Sequence, residues 1–128
     1  SKLFASMGCE VFKTSPEKHD EAVSLISHLP IFVASALLDT AHTKNNKTLL
    51  NLTQKLAASG FADTTRVGEG NQQLGLDLAT YNQKNVLNAM GEFKEKINEL
   101  ESLIKNNNWE LLSKKLNETK KVRPYFIN

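Results

Sequence analysis

Three short stretches of this 128-residue chain hold side chains able to do chemistry. His19-Asp20 puts an imidazole beside a carboxylate. Ser27-His28 puts a second imidazole just ahead of Pro30. Phe61-Ala62-Asp63-Thr64-Thr65-Arg66 gathers an acid, two hydroxyls and a guanidinium. Imidazole moves protons near neutral pH. Guanidinium is the group of choice for gripping a carboxylate through two parallel hydrogen bonds. The two histidines lie nine residues apart, about two and a half helical turns, so they do not share one face of a straight helix. A two-histidine metal site needs near i, i+4 spacing, and no metal ligand set is expected. The plain reading of His28 is a core histidine that bonds a carbonyl freed by the proline. His19-Asp20 reads as a cap or a contact between elements. Asp63 and Arg66 either pair locally and organise a loop, or Arg66 binds a ligand carboxylate. Residue chemistry alone leaves both open.

No phosphate-cradling glycine motif is present. Gly68-Glu69-Gly70 lacks a third glycine and a preceding strand, so no cofactor-binding residue is expected in the chain. Cys9 is the only cysteine and cannot form an internal disulfide. It reads as a small buried side chain, and a reducing cytoplasm fits.

The elements that must position these residues are helical. Ser15 can cap, Pro16 suits the first helical position, and Glu17 favours the positive end of the helix dipole. Apolar residues follow on both sides of Pro30, nearly all round, which predicts a buried, kinked helix at the centre of the domain. Leu49, Leu50, Leu52, Leu56 and Ala57 predict a second helix, ended by Ser59-Gly60. Residues 61–71 then read as a connecting loop. Leu74 opens the longest helical pattern, and from Met90 to Ile104 its apolar residues alternate by three and four, a heptad-like seam. Asn106-Asn107-Asn108 ends it and caps the next helix, whose apolar face is Trp109, Leu112 and Leu116, and which Pro124 stops. Ser1–Phe12 reads differently, as a helix tail closing at Gly8 and a short strand, Glu10-Val11-Phe12. One strand cannot make a sheet, so the expectation is a piece of a longer protein whose other strands lie upstream.

Composition bounds the rest. The chain is 40% hydrophobic and 23% charged with a net charge of +2, ordinary values for a folded domain. That charge is too small to argue for nucleic acid, and Lys114, Lys115, Lys120, Lys121 and Arg123 read as the solvated end of the last helix. No apolar run approaches the ~20 residues that span a bilayer, so neither membrane nor nucleic acid is expected as a partner.

Taken in order, Ser15-Pro16-Glu17-Lys18-His19-Asp20-Glu21-Ala22-Val23, Ser27-His28-Leu29-Pro30 and Gly60-Phe61-Ala62-Asp63-Thr64-Thr65-Arg66 resemble the C-terminal helical domain of the prephenate/arogenate dehydrogenase family. The resemblance covers essentially the whole chain. It implies a mainly α fold: a helical bundle forming an intertwined homodimer, with a leftover N-terminal strand from an upstream Rossmann domain. Residues 1–14 would be a remnant of that domain or a linker, and 15–128 the helical dimerisation and substrate-binding domain. The implied reaction is oxidative decarboxylation of prephenate or arogenate in tyrosine biosynthesis, with hydride passing to NADP or NAD held by the upstream domain. The family's catalytic histidine also lies upstream, so no catalytic residue is expected here and the chain alone should be inactive. By motif, Arg66 with Thr65 looks like the substrate-carboxylate site, and Asp63, His19, Asp20 and His28 like gating or supporting positions. Many members have histidine where this chain has Ile31, and tryptophan where it has Gly75. Those departures resemble the cyanobacterial arogenate dehydrogenases, which favour NADP. The rival reading is a stand-alone helical dimerisation or regulatory module without catalysis.

Overall fold

The computed structural model describes residues 7, 11–43 and 45–127. The closing turn at Gly8, Cys9 and the start of the expected strand at Glu10 lie outside the described residues. Val11 and Phe12 have no regular secondary structure, and the described residues contain no strand.

The predicted start of the first helix is present. Helix α1 spans Pro16–Val23, with Pro16 in its first turn and the Ser15 side chain accepting a hydrogen bond from the Lys18 amide at 3.3 Å. The chain then winds through a π-helical segment, Ser24–His28, into α2, Leu29–Ala41. The interruption expected at Pro30 is therefore a widened turn within one continuous helix. Proline has no amide hydrogen to continue the ladder. Just ahead of it, the Leu29 amide reaches back five residues to the Ser24 carbonyl, the bond that defines a π turn.

Two expectations about this helix need correction. Buried it is not: only Ser24, His28 and Ala34 fall inside, while Leu25 and Ile26 stay 44% and 65% exposed. Its length also matters. Pro16–Ala41 is one 26-residue helix with an 18-residue stretch of mean hydropathy 1.7, long and apolar enough by length and composition to cross a membrane. Reading the apolar runs on either side of Ser27-His28 separately misses this, because the polar pair and Pro30 break the run in sequence but not the helix in space.

Helix α3 spans Lys47–Leu56, capped by Asn46, whose side chain accepts from the Leu49 amide at 2.9 Å. Ser59-Gly60 does not end the helical chain. It opens α4, Ser59–Thr65, which runs straight into a 3-10 turn, Arg66–Glu69. The expected loop is thus mostly helical. It lacks an apolar period because it is too short to show one, and its hydroxyls close the turns. Thr64 Oγ1 donates to the Gly60 carbonyl at 2.8 Å and Thr65 Oγ1 to the Phe61 carbonyl at 2.7 Å.

The long pattern after Leu74 is two helices, α5 over Gln72–Tyr81 and α6 over Gln83–Lys105, broken at Asn82. The triple asparagine behaves as expected. Asn107 takes a positive φ of 53°, and the Asn108 side chain accepts from the Leu111 amide to cap α7, Trp109–Val122. Asparagine suits both roles, since it tolerates left-handed backbone and its short amide caps well. A 3-10 turn at Arg123–Tyr125 contains Pro124.

The chain forms two compact units, 1–89 and 90–128. In the first, α2 and the 3-10 turn after α4 pack together, and Gly68 lies against α2. A Cβ there would stand 3.0 Å from Leu38 Cδ1 and 3.1 Å from the Ala34 carbonyl carbon. The second is a hairpin of α6 and α7 with Glu99 bridging its helices, bonded to Lys96 at 2.7 Å and to Lys115 at 2.8 Å. Those lysines hold the Glu99 carboxyl down at about 2. Lys115 is thereby engaged with a carboxylate rather than standing in a purely basic patch.

Candidate functional site

Arg66 closes α4 and begins the 3-10 turn, and it is exposed. Its position is set from below. Gly68, two residues on, lies against Ala34 and Leu38 of α2 with no room for a larger side chain. Thr65 is 6% exposed and spends its hydroxyl proton on the Phe61 carbonyl. It can offer a ligand only a lone pair while that bond holds. Asp63 is exposed, and among the described residues it forms neither a hydrogen bond nor an ion pair with Arg66. The guanidinium is thus presented on the outside of a turn fixed by packing.

The histidines belong to a second group. His19 Nδ1 and Asp20 Oδ1 are 3.1 Å apart on the exposed first turns of α1. His28 sits in the π segment, 8% exposed. Its partner is not a freed carbonyl but Asn82, whose Nδ2 lies 3.3 Å from His28 Nδ1. The same Asn82 Nδ2 donates to the Asp20 carbonyl at 2.7 Å, and Asn82 Oδ1 accepts from Asn85 Nδ2 at 2.8 Å. An open cleft of about 410 Å³ lies at this junction, lined by Glu17, Asp20, Glu21, Asn82 and Lys84 among others. Glu17 is held below the ordinary carboxylate range by hydrogen bonds from its own backbone amide and from Ser15.

Asn82 and Asn85 were not legible in the sequence. The only signal was the residue type, since asparagine competes with helical bonds through its own side chain, and the apolar pattern continues on both sides of Asn82. Among the described residues no hydrogen bond or ion pair joins Arg66 to His19, Asp20 or His28.

This helical arrangement matches known proteins. Residues 15–118 match the family model described as prephenate dehydrogenase, dimerization domain. The chain belongs to that family. Among solved structures, that of Synechocystis arogenate dehydrogenase superposes with a TM-score of 0.94 at 36% identity, over 98% of this chain and 45% of that one. Prephenate dehydrogenase from A. aeolicus, in complex with hydroxyphenyl propionate and NAD+, superposes with a TM-score of 0.85 at 32% identity, over 98% of this chain and 43% of that one. The prephenate dehydrogenase of Bacillus subtilis (strain 168) is 30% identical over 121 residues, 94% of this chain and 32% of that protein. The chain therefore spans 32–45% of the length of these relatives.

Two further features bear on how this dimerization domain works. An apolar groove of about 850 Å³ runs along α2, α3 and α4, lined by Leu38, Leu49, Leu52, Leu56 and Phe61 among others. The Gly68-Glu69-Gly70 stretch does not fit a dinucleotide. It lies in a 3-10 turn and its exit, with Gly68 pressed onto α2, rather than between a strand and a helix N-terminus.

Proposed function

We propose that this chain serves as the C-terminal dimerisation and substrate-contacting domain of an arogenate or prephenate dehydrogenase, an oxidoreductase that uses NADP or NAD in tyrosine biosynthesis. The observation that carries the reading is the uncovered apolar surface. Among the described residues only Ala34, Val86 and Ala89 form a buried apolar core, while large side chains such as Ile26, Leu56, Leu87, Trp109 and Leu116 remain 54–71% exposed. Large apolar side chains left exposed in such number mark an interface. A second copy of the chain would cover it, and the apolar face of Pro16–Ala41 is then met by protein rather than lipid. A cytoplasmic homodimer that binds neither membrane nor nucleic acid follows from the same reading.

Arg66 would hold a substrate carboxylate with Thr65 beneath it. Asp63, His19, Asp20 and His28 would support or gate the cleft. Residues 1–14 would link to the segment that binds the nicotinamide cofactor. Arogenate is the preferred substrate in this reading, supported by Ile31 and Gly75 at positions where the family often places polar or aromatic groups, and by the likeness to the Synechocystis enzyme.

The test is a graft: this chain put in place of the matching segment of Synechocystis arogenate dehydrogenase. Turnover of arogenate by a dimeric graft is expected. Much faster turnover of prephenate would overturn the substrate preference, and a monomeric graft would overturn the dimer.

A further inference from the structure

The substrate reading gives the buried imidazole of His28 only a supporting place, yet its hydrogen-bond surroundings specify more. We propose that His28 and Asn82 form a proton-sensitive joint that ties the π segment of the long helix to the break between α5 and α6.

The Asp20 carbonyl can only accept, so the Asn82 atom 2.7 Å from it must be the amide nitrogen. That nitrogen has one further hydrogen, and it is aimed at His28 Nδ1, 3.3 Å away. The amide oxygen is taken by Asn85 Nδ2 at 2.8 Å. His28 Nδ1 must therefore present a lone pair, which places the ring's single proton on Nε2. A second proton, on Nδ1, would set N–H against N–H. Asn82 cannot turn its oxygen toward the ring without losing its bonds to both Asp20 and Asn85. At 8% exposure, water does not readily take over the lost bond.

The charged groups on the surrounding elements do not remove this conflict. Helix α1 brings Glu17, His19, Asp20 and Glu21, and α6 brings Lys84; all are exposed. On α5, Asp77 accepts a hydrogen bond from Gln73 at 2.8 Å, and α2 carries Asp39, which is also exposed. The acids attract a cation on His28 through solvent, where screening weakens them, and Lys84 opposes it. The clash of donors is at contact distance. The joint therefore holds while Nδ1 keeps its lone pair and opens when a proton is placed there, freeing the start of α6 from α1 and the π segment.

The experiment uses the chain carrying His19→Gln and His42→Gln, so that His28 is its only histidine. Imidazole nitrogen NMR at pH 7.5 is expected to show Nδ1 without a proton. Acidification to pH 5.5 is expected to lower the melting temperature by roughly 3–6 °C, the size of one lost hydrogen bond in a domain of this length. Asn82→Asp supplies an acceptor to the protonated ring and should reverse that slope. A proton found on Nδ1 at pH 7.5, or the same slope with and without Asn82→Asp, would overturn the proposal.

Discussion

Arg66 shows how little of a side chain's use is local. Its guanidinium is available because Asp63 does not pair with it and because Thr65 is turned inward. In the grafted enzyme, Arg66→Ala is expected to raise KM for arogenate about 10- to 150-fold, the ~1.5–3 kcal/mol of a hydrogen bond to a charged group, with little change in melting temperature. Arg66→Lys should recover only part of the loss, since an ammonium keeps the charge but not the two-pronged geometry. Steady-state kinetics of the two variants checks this, and an unchanged KM in Arg66→Ala would remove Arg66 from the site. Ser15 belongs to the same scale with a structural role. Ser15→Ala deletes the acceptor for the Lys18 amide and should cost about 1 kcal/mol in denaturant unfolding.

At the scale of elements, two junctions carry distinct predictions. Where the 3-10 turn meets α2, Gly68→Ala must push the turn or Ala34 aside, because the new Cβ meets backbone at 3.1 Å. A loss of about 1–3 kcal/mol is expected, together with a weakened arogenate KM, because the turn carries Arg66. Thermal melts and kinetics of the same variant read both effects. In the α6–α7 hairpin, Glu99 has its carboxyl at about 2 against an ordinary 4.5, with Lys115 the larger cause and Lys96 the next. The folded state thus holds Glu99 ionised where the unfolded chain would protonate it. Its contribution is complete above pH 4.5 and is lost as pH falls toward 2. Helicity followed by circular dichroism should fall less steeply over that window in Glu99→Gln. Glu99 is 44% exposed, so added salt should shrink the difference.

For the whole molecule, the balance between core and surface decides. Among the described residues the three buried apolar side chains do not hold this chain by themselves, and only 17% of the most apolar stretch of the long helix is buried. Light scattering at micromolar concentration is expected to give about twice 14.3 kDa. Charges placed in the exposed apolar surface, such as Leu56→Glu or Leu116→Glu, should shift that mass toward one chain and lower the melting temperature together. A single-chain mass for the unmodified protein would count against the dimer.

What could be read from the residues alone was whatever local chemistry decides. Ser15-Pro16 starts a helix wherever it stands, Asn108 caps α7 through its own side chain, and the order of the three motifs carried the family. The turn bearing Arg66 was legible as a candidate but not as a helix, because seven residues are too few for a period to emerge. Other features depended on partners far along the chain. The helical pattern runs through Asn82 without a pause. The break there is held by bonds to the Asp20 carbonyl and His28, 62 and 54 residues away. The burial of His28 and the seating of Gly68 on Ala34 are of the same kind. Capping and proline effects act within one turn and are written in neighbouring residues. Contacts between distant residues arise only when packing brings them together, so the tertiary structure alone decided that α5 and α6 part at Asn82 and which side chain His28 would meet.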